Sequence, residues 1–407
     1  VEQPTGARGA VLVAATATAG QQGPVAALVS TAGWAAGAQR VLGASWIATP
    51  SGVIDPSAAR RRGSAAELAA PPSAGWKQHL PTVAKTAIKD LRQARRGRRF
   101  RVPAAGPWSG HEVAFVWQRH ELFHTAGLDL ADELGVASVL FVPATAVWES
   151  ARWGVRRPGW AGLAERWGEA PSLRRATLVA AGSEEVAEQV VRLGAEERRV
   201  LVTPTGVDLD LFPPDLDGRT VRDRLGLGDR FVVGWAGSFR RFHSLDLAVE
   251  AVAQVDGAVL LLVGDGPERA TIEQLARSRR VDVITTGTVA HPDLPAHLAA
   301  FDIALVQAAA GAGFHYSPLK LAEYLAAGRA VIAPDVPALA ERFVDGTELV
   351  LVPPGDVEGL ATALRSLRDD PTRRAELGAA GRTAIERDGT WEHQVARIVD
   401  RLDELAP

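Results

Sequence analysis

The run Ser317-Pro318-Leu319-Lys320-Leu321-Ala322-Glu323-Tyr324-Leu325-Ala326-Ala327-Gly328 combines residue types that suit a phosphorylated ligand, and Gly311, Gly313 and Phe314-His315-Tyr316 precede it. Ser317 can cap a helix, Pro318 fits the first helical position, and Gly328 closes the helix about three turns later. Free amides at such an N-terminus, with the positive end of the helix dipole, make a seat for a diphosphate. Lys320 can add a full charge. Glu323, one turn further in, can accept hydrogen bonds from the two hydroxyls of a ribose. A second cluster, Gln118-Arg119-His120-Glu121-Leu122-Phe123, follows a predicted strand, and strand ends are where α/β sheets bind ligands. Arg119 and His120 are acceptor-side candidates there, with His120 also readable as a structural histidine. Glu149, after the next strand, faces the same region or caps the turn that follows.

The elements that must carry these residues are short apolar runs alternating with helical stretches, the pattern of parallel α/β units. One series has strands near 11–15, 41–47, 113–117, 138–142, 178–181 and 200–203. A second has them near 231–235, 259–263, 283–286, 303–306, 330–333 and 348–352. Each series predicts a doubly wound sheet, and the Pro-, Gly- and Asp-rich stretch 204–228 predicts a crossing between domains. The expected division is 1–205, an acceptor-binding domain, and 206–390, a donor-binding domain. Trp391, Val395, Ile398, Leu402 and Leu405 recur at helical spacing. Their helix, within 391–407, either caps the second domain or crosses back to complete the first, and the division adopted gives it to the first.

Val233-Gly234-Trp235-Ala236-Gly237-Ser238-Phe239-Arg240, Val263-Gly264-Asp265-Gly266-Pro267 and the 317–328 string, in that order, resemble the donor domain of family 4 retaining glycosyltransferases. The resemblance runs from 204 to 367 and includes Pro-Thr-Gly-Val-Asp at 204–208 and Thr-Gly-Thr-Val at 286–289. It implies the GT-B fold, two Rossmann-like domains facing each other across a cleft. It also implies a nucleotide-diphosphate sugar as donor, UDP- or GDP-linked, and transfer to an acceptor hydroxyl with retention. By the same resemblance Glu323 binds ribose, Val289 lies beside the base, and Gly237, Ser238 and Gly264 lie against the phosphates. Ser317, Pro318, Leu319 and Lys320 then hold the diphosphate, and Arg240 supplies a further charge. The family usually has lysine and glycine where this chain has His243 and Ser244, so His243 is a pH-dependent phosphate contact or a loop histidine. His315 stands where the family has the first glutamate of a pair, which leaves the sugar contact to main-chain amides. Gly20-Gln21-Gln22-Gly23 occupies the place of a loop facing donor and acceptor, with Gly23 the acceptor-side candidate. Arg240, Lys320 and His120 are the expected catalytic residues.

Bulk properties narrow the alternatives. The 407 residues carry a formal net charge of −3, which gives no global reason to expect nucleic acid. Without cysteine there is no disulfide, thiolate metal site or cysteine nucleophile. Asp208-Leu209-Asp210 lies in the crossing, so neither a metal nor another cofactor is expected. Ala, Arg and Gly richness suggests a bacterium of high GC content. The absence of methionine suggests a missing initiator or modified methionines that the sequence does not show. No run of 18 or more apolar residues appears, and a cytoplasmic protein is expected. Residues 77–101 hold nine Lys and Arg against one acid, Asp90, on a stretch that permits an amphipathic helix. It is either a solvated face or a peripheral membrane contact. A silent nucleotide-binding protein, favoured by His315, and another GT-B enzyme such as a sugar-nucleotide epimerase stay open as rivals. The acceptor, a small molecule, glycan or glycolipid, and the oligomeric state are not legible.

Overall fold

The computed structural model describes residues 8–15, 25–61, 81–311 and 319–406. The chain divides into two compact units. One is the chain through Gly206 together with the segment from Trp391, and the other lies between Val207 and Thr390.

In the first unit, seven strands pair in the order β3-β2-β1-β4-β5-β6-β7. They are β1 (Arg8–Val13), β2 (Gly43–Thr49), β3 (Gly52–Ile54), β4 (Glu112–Arg119), β5 (Ala137–Val142), β6 (Leu178–Ala181) and β7 (Val200–Val202). All pairings are parallel except β2 with β3. That hairpin was not expected from the sequence. Its turn depends on Thr49, whose hydroxyl accepts from the Ser51 amide and donates to the Gly52 carbonyl, and on Gly52 at φ +115°. The second unit holds six parallel strands in the order β10-β9-β8-β11-β12-β13. They are β8 (Val232–Ala236), β9 (Val259–Val263), β10 (Asp282–Thr285), β11 (Ile303–Leu305), β12 (Ala330–Pro334) and β13 (Val350–Val352). Helices cover both faces of a doubly wound sheet, so central strands such as β9, Val-Leu-Leu-Leu-Val, are buried at every position. The strand order reverses between β1 and β4 and again between β8 and β11, and such switch points open a crevice at the strand ends.

The helix Trp391–Leu405 belongs to the first unit because Trp391 fills a notch cut by two glycines in the helix Val25–Leu42. A methyl at Gly33 would lie 2.3 Å from Cε2 of Trp391, and one at Gly37 would lie 2.8 Å from its carbonyl carbon. Trp34 then packs on Trp391, Trp117 and Phe141, with ring centroids 5.4, 5.8 and 5.2 Å away. Among the described residues no helix is long and apolar enough to cross a membrane.

Candidate functional site

In the second unit, three loops leave the C-terminal ends of β8, β9 and β10 and pack main chain against main chain. Gly237 turns the chain out of β8 at φ +149° and donates its amide to the Val263 carbonyl. Gly264, at φ +138°, approaches so closely that a methyl there would fall 1.9 Å from the Gly237 oxygen. Only glycine fits such a contact and such a φ. Gly264 also bridges Gly287, past β10. Arg269 ties the layers together through Asp265 (3.0 Å), Glu273 (2.8 Å) and the Thr285 hydroxyl (2.9 Å).

The helix Leu319–Ala326 brings side chains to this floor. Tyr324 anchors it, its phenol oxygen accepting the Ala236 amide at 2.6 Å, and Gly328 ends it at φ +64°. Lys320 places Nζ 3.9 Å from the centroid of the Trp235 ring, beside Gly237. That ammonium is buried and has no hydrogen-bond partner among the described residues. Burial pushes its pKa down to about 7, with the Glu323 carboxylate opposing. Glu323 is itself buried and accepts from Nε2 of His291 at 2.8 Å. The His291 ring sits edge-on to buried Phe212, with centroids 5.8 Å apart. Gln307, past β11, has both amide atoms buried without a partner among the described residues.

The other residues expected at the donor site fall as follows. Ser238 and Arg240 are exposed on the loop after β8, and Val289 is half-buried after β10. His243 is buried against Trp235 and Phe242, with centroids 5.3 and 4.2 Å away. Burial, then Lys320 and Arg240, push its pKa down to about 2. Of the two expectations for His243, a pH-dependent phosphate contact or a loop histidine, the buried ring and its lowered pKa favour the second. His315, Ser317 and Pro318 lie outside the described residues, as does Gly23. Among the described residues no group of three His, Asp or Glu side chains gathers as a metal ligand set.

The first unit has its own cluster past β4. The His120 amide donates to the Phe141 carbonyl, fixing the loop at the ends of β4 and β5. Nε2 of His120 lies 3.2 Å from Oε1 of Glu169, and both side chains are inaccessible to solvent. The same oxygen accepts the Ala146 amide at 2.5 Å. Nδ1 of His120 and Oε2 of Glu169 are left without partners among the described residues. Glu169 ends a π-helical turn, Glu165–Glu169, a distortion that recurs at functional sites. Phe123 adopts φ +68°, costly for a bulky residue, and is held by the hydrogen bond its amide donates to the Gly168 carbonyl. From the other side Gly97 presses on it so closely that a methyl there would lie 2.0 Å from the Phe123 oxygen. His124 follows, its pKa pushed down to about 4 by burial, Arg96 and His120. Burial also lowers the Arg119 pKa, with Glu121 and Glu149 pulling the other way. The sequence reading did not single out Trp235, His291, Tyr324 or Glu169. Trp235 and Tyr324 stood inside quoted motifs and His291 two residues past Val289, whereas nothing in the order of residues connects Glu169 to His120.

Residues 230–370 match the family described as Glycosyl transferases group 1. The chain is 33% identical over 209 residues to a GDP-mannose-dependent α-(1-6)-phosphatidylinositol monomannoside mannosyltransferase of Mycolicibacterium smegmatis, covering 49% of this chain and 55% of that one. It is 32% identical over 243 residues to a D-inositol 3-phosphate glycosyltransferase of Xylanimonas cellulosilytica, covering 57% and 58%. The chain thus spans little more than half the length of these relatives. A sucrose-phosphate synthase from Thermosynechococcus elongatus superposes with a TM-score of 0.67 at 20% identity, over 97% of this chain and 98% of that one. The fold is that of GT-B glycosyltransferases, and the second unit carries a glycosyl transferases group 1 domain.

Proposed function

We propose that the protein is a retaining glycosyltransferase of family 4 that moves a sugar from a GDP- or UDP-linked donor to an acceptor hydroxyl. The second unit is the donor-binding domain and the first the acceptor-binding domain. The observation that carries the reading is Lys320, a buried ammonium without a partner among the described residues, set between the Trp235 ring and the Gly237 loop. An isolated buried cation is costly, and a diphosphate would supply the missing counter-charge. Glu323, which accepts from His291, would then accept from the ribose hydroxyls, and Val289 would meet the base. The relatives' dependence on GDP-mannose and their action on inositol compounds favour a mannosyl or related hexosyl donor and a polyol or glycolipid acceptor.

In a retaining transfer without a protein nucleophile, the acceptor oxygen attacks from the face the diphosphate leaves, and a phosphate oxygen takes its proton. The chain's part is to stabilise charge growing on that leaving group, through Lys320 and Arg240. In the first unit His120, its ring held by Glu169, is the candidate for the acceptor side. The test is thermal stabilisation by UDP, GDP, dTDP and ADP, since a ligand bound only by the folded state raises the melting temperature. One nucleotide should raise it, and Lys320→Met and Glu323→Ala should each abolish the rise. No rise with any of the four would refute the reading. His315 favours a second reading, a protein that binds the nucleotide without turnover, which predicts the same stabilisation but no hydrolysis of the donor.

A further inference from the structure

The basic stretch of the first unit forms the helix Thr82–Arg99, and the structure shows how its charges are sorted. Asp90, the acid among those cations, is turned inward. Arg157 grips its carboxylate with two hydrogen bonds of 2.8 and 3.2 Å, and Trp160 adds a third at 3.0 Å. Thr86 and Gly97 are buried on the same side, Gly97 against the Phe123 carbonyl. Helical spacing puts Arg92 and Arg99 opposite this face, with Lys85, Arg95, Arg96 and Lys89 flanking them, and all six are exposed. Leu91, among these cations, is 54% exposed.

Next to this helix stands a second exposed feature. Trp160, bonded to Asp90, leads into the segment 161–169, where Leu163 is 46% and Trp167 63% exposed, three and seven residues beyond it. A helix face whose exposed charges are all cationic, beside exposed Leu and Trp, is what the interface of an anionic bilayer accommodates: headgroups take the charges, and tryptophan partitions at the headgroup level. A nucleic acid would use the charges but not the aliphatic side chains.

We propose that the outer face of the helix Thr82–Arg99, with Leu91, Leu163 and Trp167, docks on an anionic lipid surface. The docking face is joined to the candidate acceptor loop, because Gly97 seats on Phe123 and Arg96 acts on His124, both within four residues of His120. Docking therefore sets that loop beside the bilayer, where a lipid-borne hydroxyl would be found. The docking itself does not depend on the proposed reaction.

The test is co-sedimentation of the full chain with vesicles of phosphatidylcholine alone or containing phosphatidylglycerol. Binding is expected only with the anionic lipid and should fall as salt is raised. The variant carrying Lys89→Gln, Arg92→Gln, Arg95→Gln and Arg99→Gln should bind on the order of a thousandfold more weakly. Leu163→Ser with Trp167→Ser should weaken binding severalfold with less effect on its salt dependence. If the fourfold variant has an altered melting temperature, the pair Arg92→Gln and Arg99→Gln serves instead, with about thirtyfold weakening expected. Equal binding to both vesicle types, binding to neither, capture by heparin without vesicle binding, or unchanged binding of the charge variants would each overturn the proposal.

Discussion

Lys320 makes the donor-site account quantitative. In the free protein its pKa falls from 10.5 to about 7, chiefly through burial. The folded state therefore holds fewer protons than the unfolded chain between about pH 7 and the ordinary lysine value, and stability must rise with pH across that window. At about 1.4 kcal/mol per pH unit, the destabilisation at neutral pH is on the order of 4 kcal/mol at most, less where the stem admits water. A diphosphate beside Nζ reverses the balance, because a neighbouring anion favours the charged form. Binding of GDP or UDP at about pH 8 should then take up close to one proton, falling toward none at about pH 6, where the free amine is already charged. Titration calorimetry in buffers of different ionisation enthalpy measures that uptake directly. Lys320→Met should abolish it, flatten the pH dependence of unfolding, and leave the free protein as stable as the native one or more so at neutral pH. An uptake that does not change with pH, or that survives in Lys320→Met, would refute the placement of the anion beside Lys320.

Three further outcomes follow from contacts described above. Gly264→Ala, whose methyl would lie 1.9 Å from the Gly237 oxygen, should cost roughly 3 kcal/mol or more in urea unfolding and remove nucleotide stabilisation. His291→Ala should weaken nucleotide binding roughly tenfold by calorimetry, with Asn recovering part of the loss, because Glu323 loses the bond that orients it. Glu169→Ala should destabilise the protein by about 2–3 kcal/mol, because the His120 ring and the Ala146 amide both lose a buried partner. Glu169→Gln keeps an oxygen for Ala146 and should cost less in denaturant titration.

The sheets were legible because buried parallel strands write themselves as continuous apolar runs, as in β9 and β6, bounded by glycines that the loops require. The β2–β3 hairpin was not, since Gly52-Val53-Ile54 is too short to show alternation and its turn rests on one threonine hydroxyl. For the C-terminal helix, spacing gave the apolar stripe but not its partner, which Gly33 and Gly37 determine some 350 residues earlier in the chain. Lys320 and Glu323 stood out as candidate binding residues from their places on one short helix. Their electrostatic states were not, because Trp235 and His291 reach them through the fold. His243 shows the same limit: its type left a phosphate contact and a loop histidine equally open, and the burial that lowers its pKa comes from the fold. The partnership of His120 with Glu169 joins a strand end to a π-helical turn, and no local pattern announces such a pair.

The most direct test of sugar transfer is release of nucleoside diphosphate from GDP-mannose and UDP-glucose, followed with and without inositol-type acceptors, with the anomeric configuration of the product read by NMR. The account predicts release from one donor, accelerated by an acceptor, a product that keeps the donor's configuration, and loss of release in Lys320→Met. Nucleotide binding without release from any donor, or a product of inverted configuration, would contradict it.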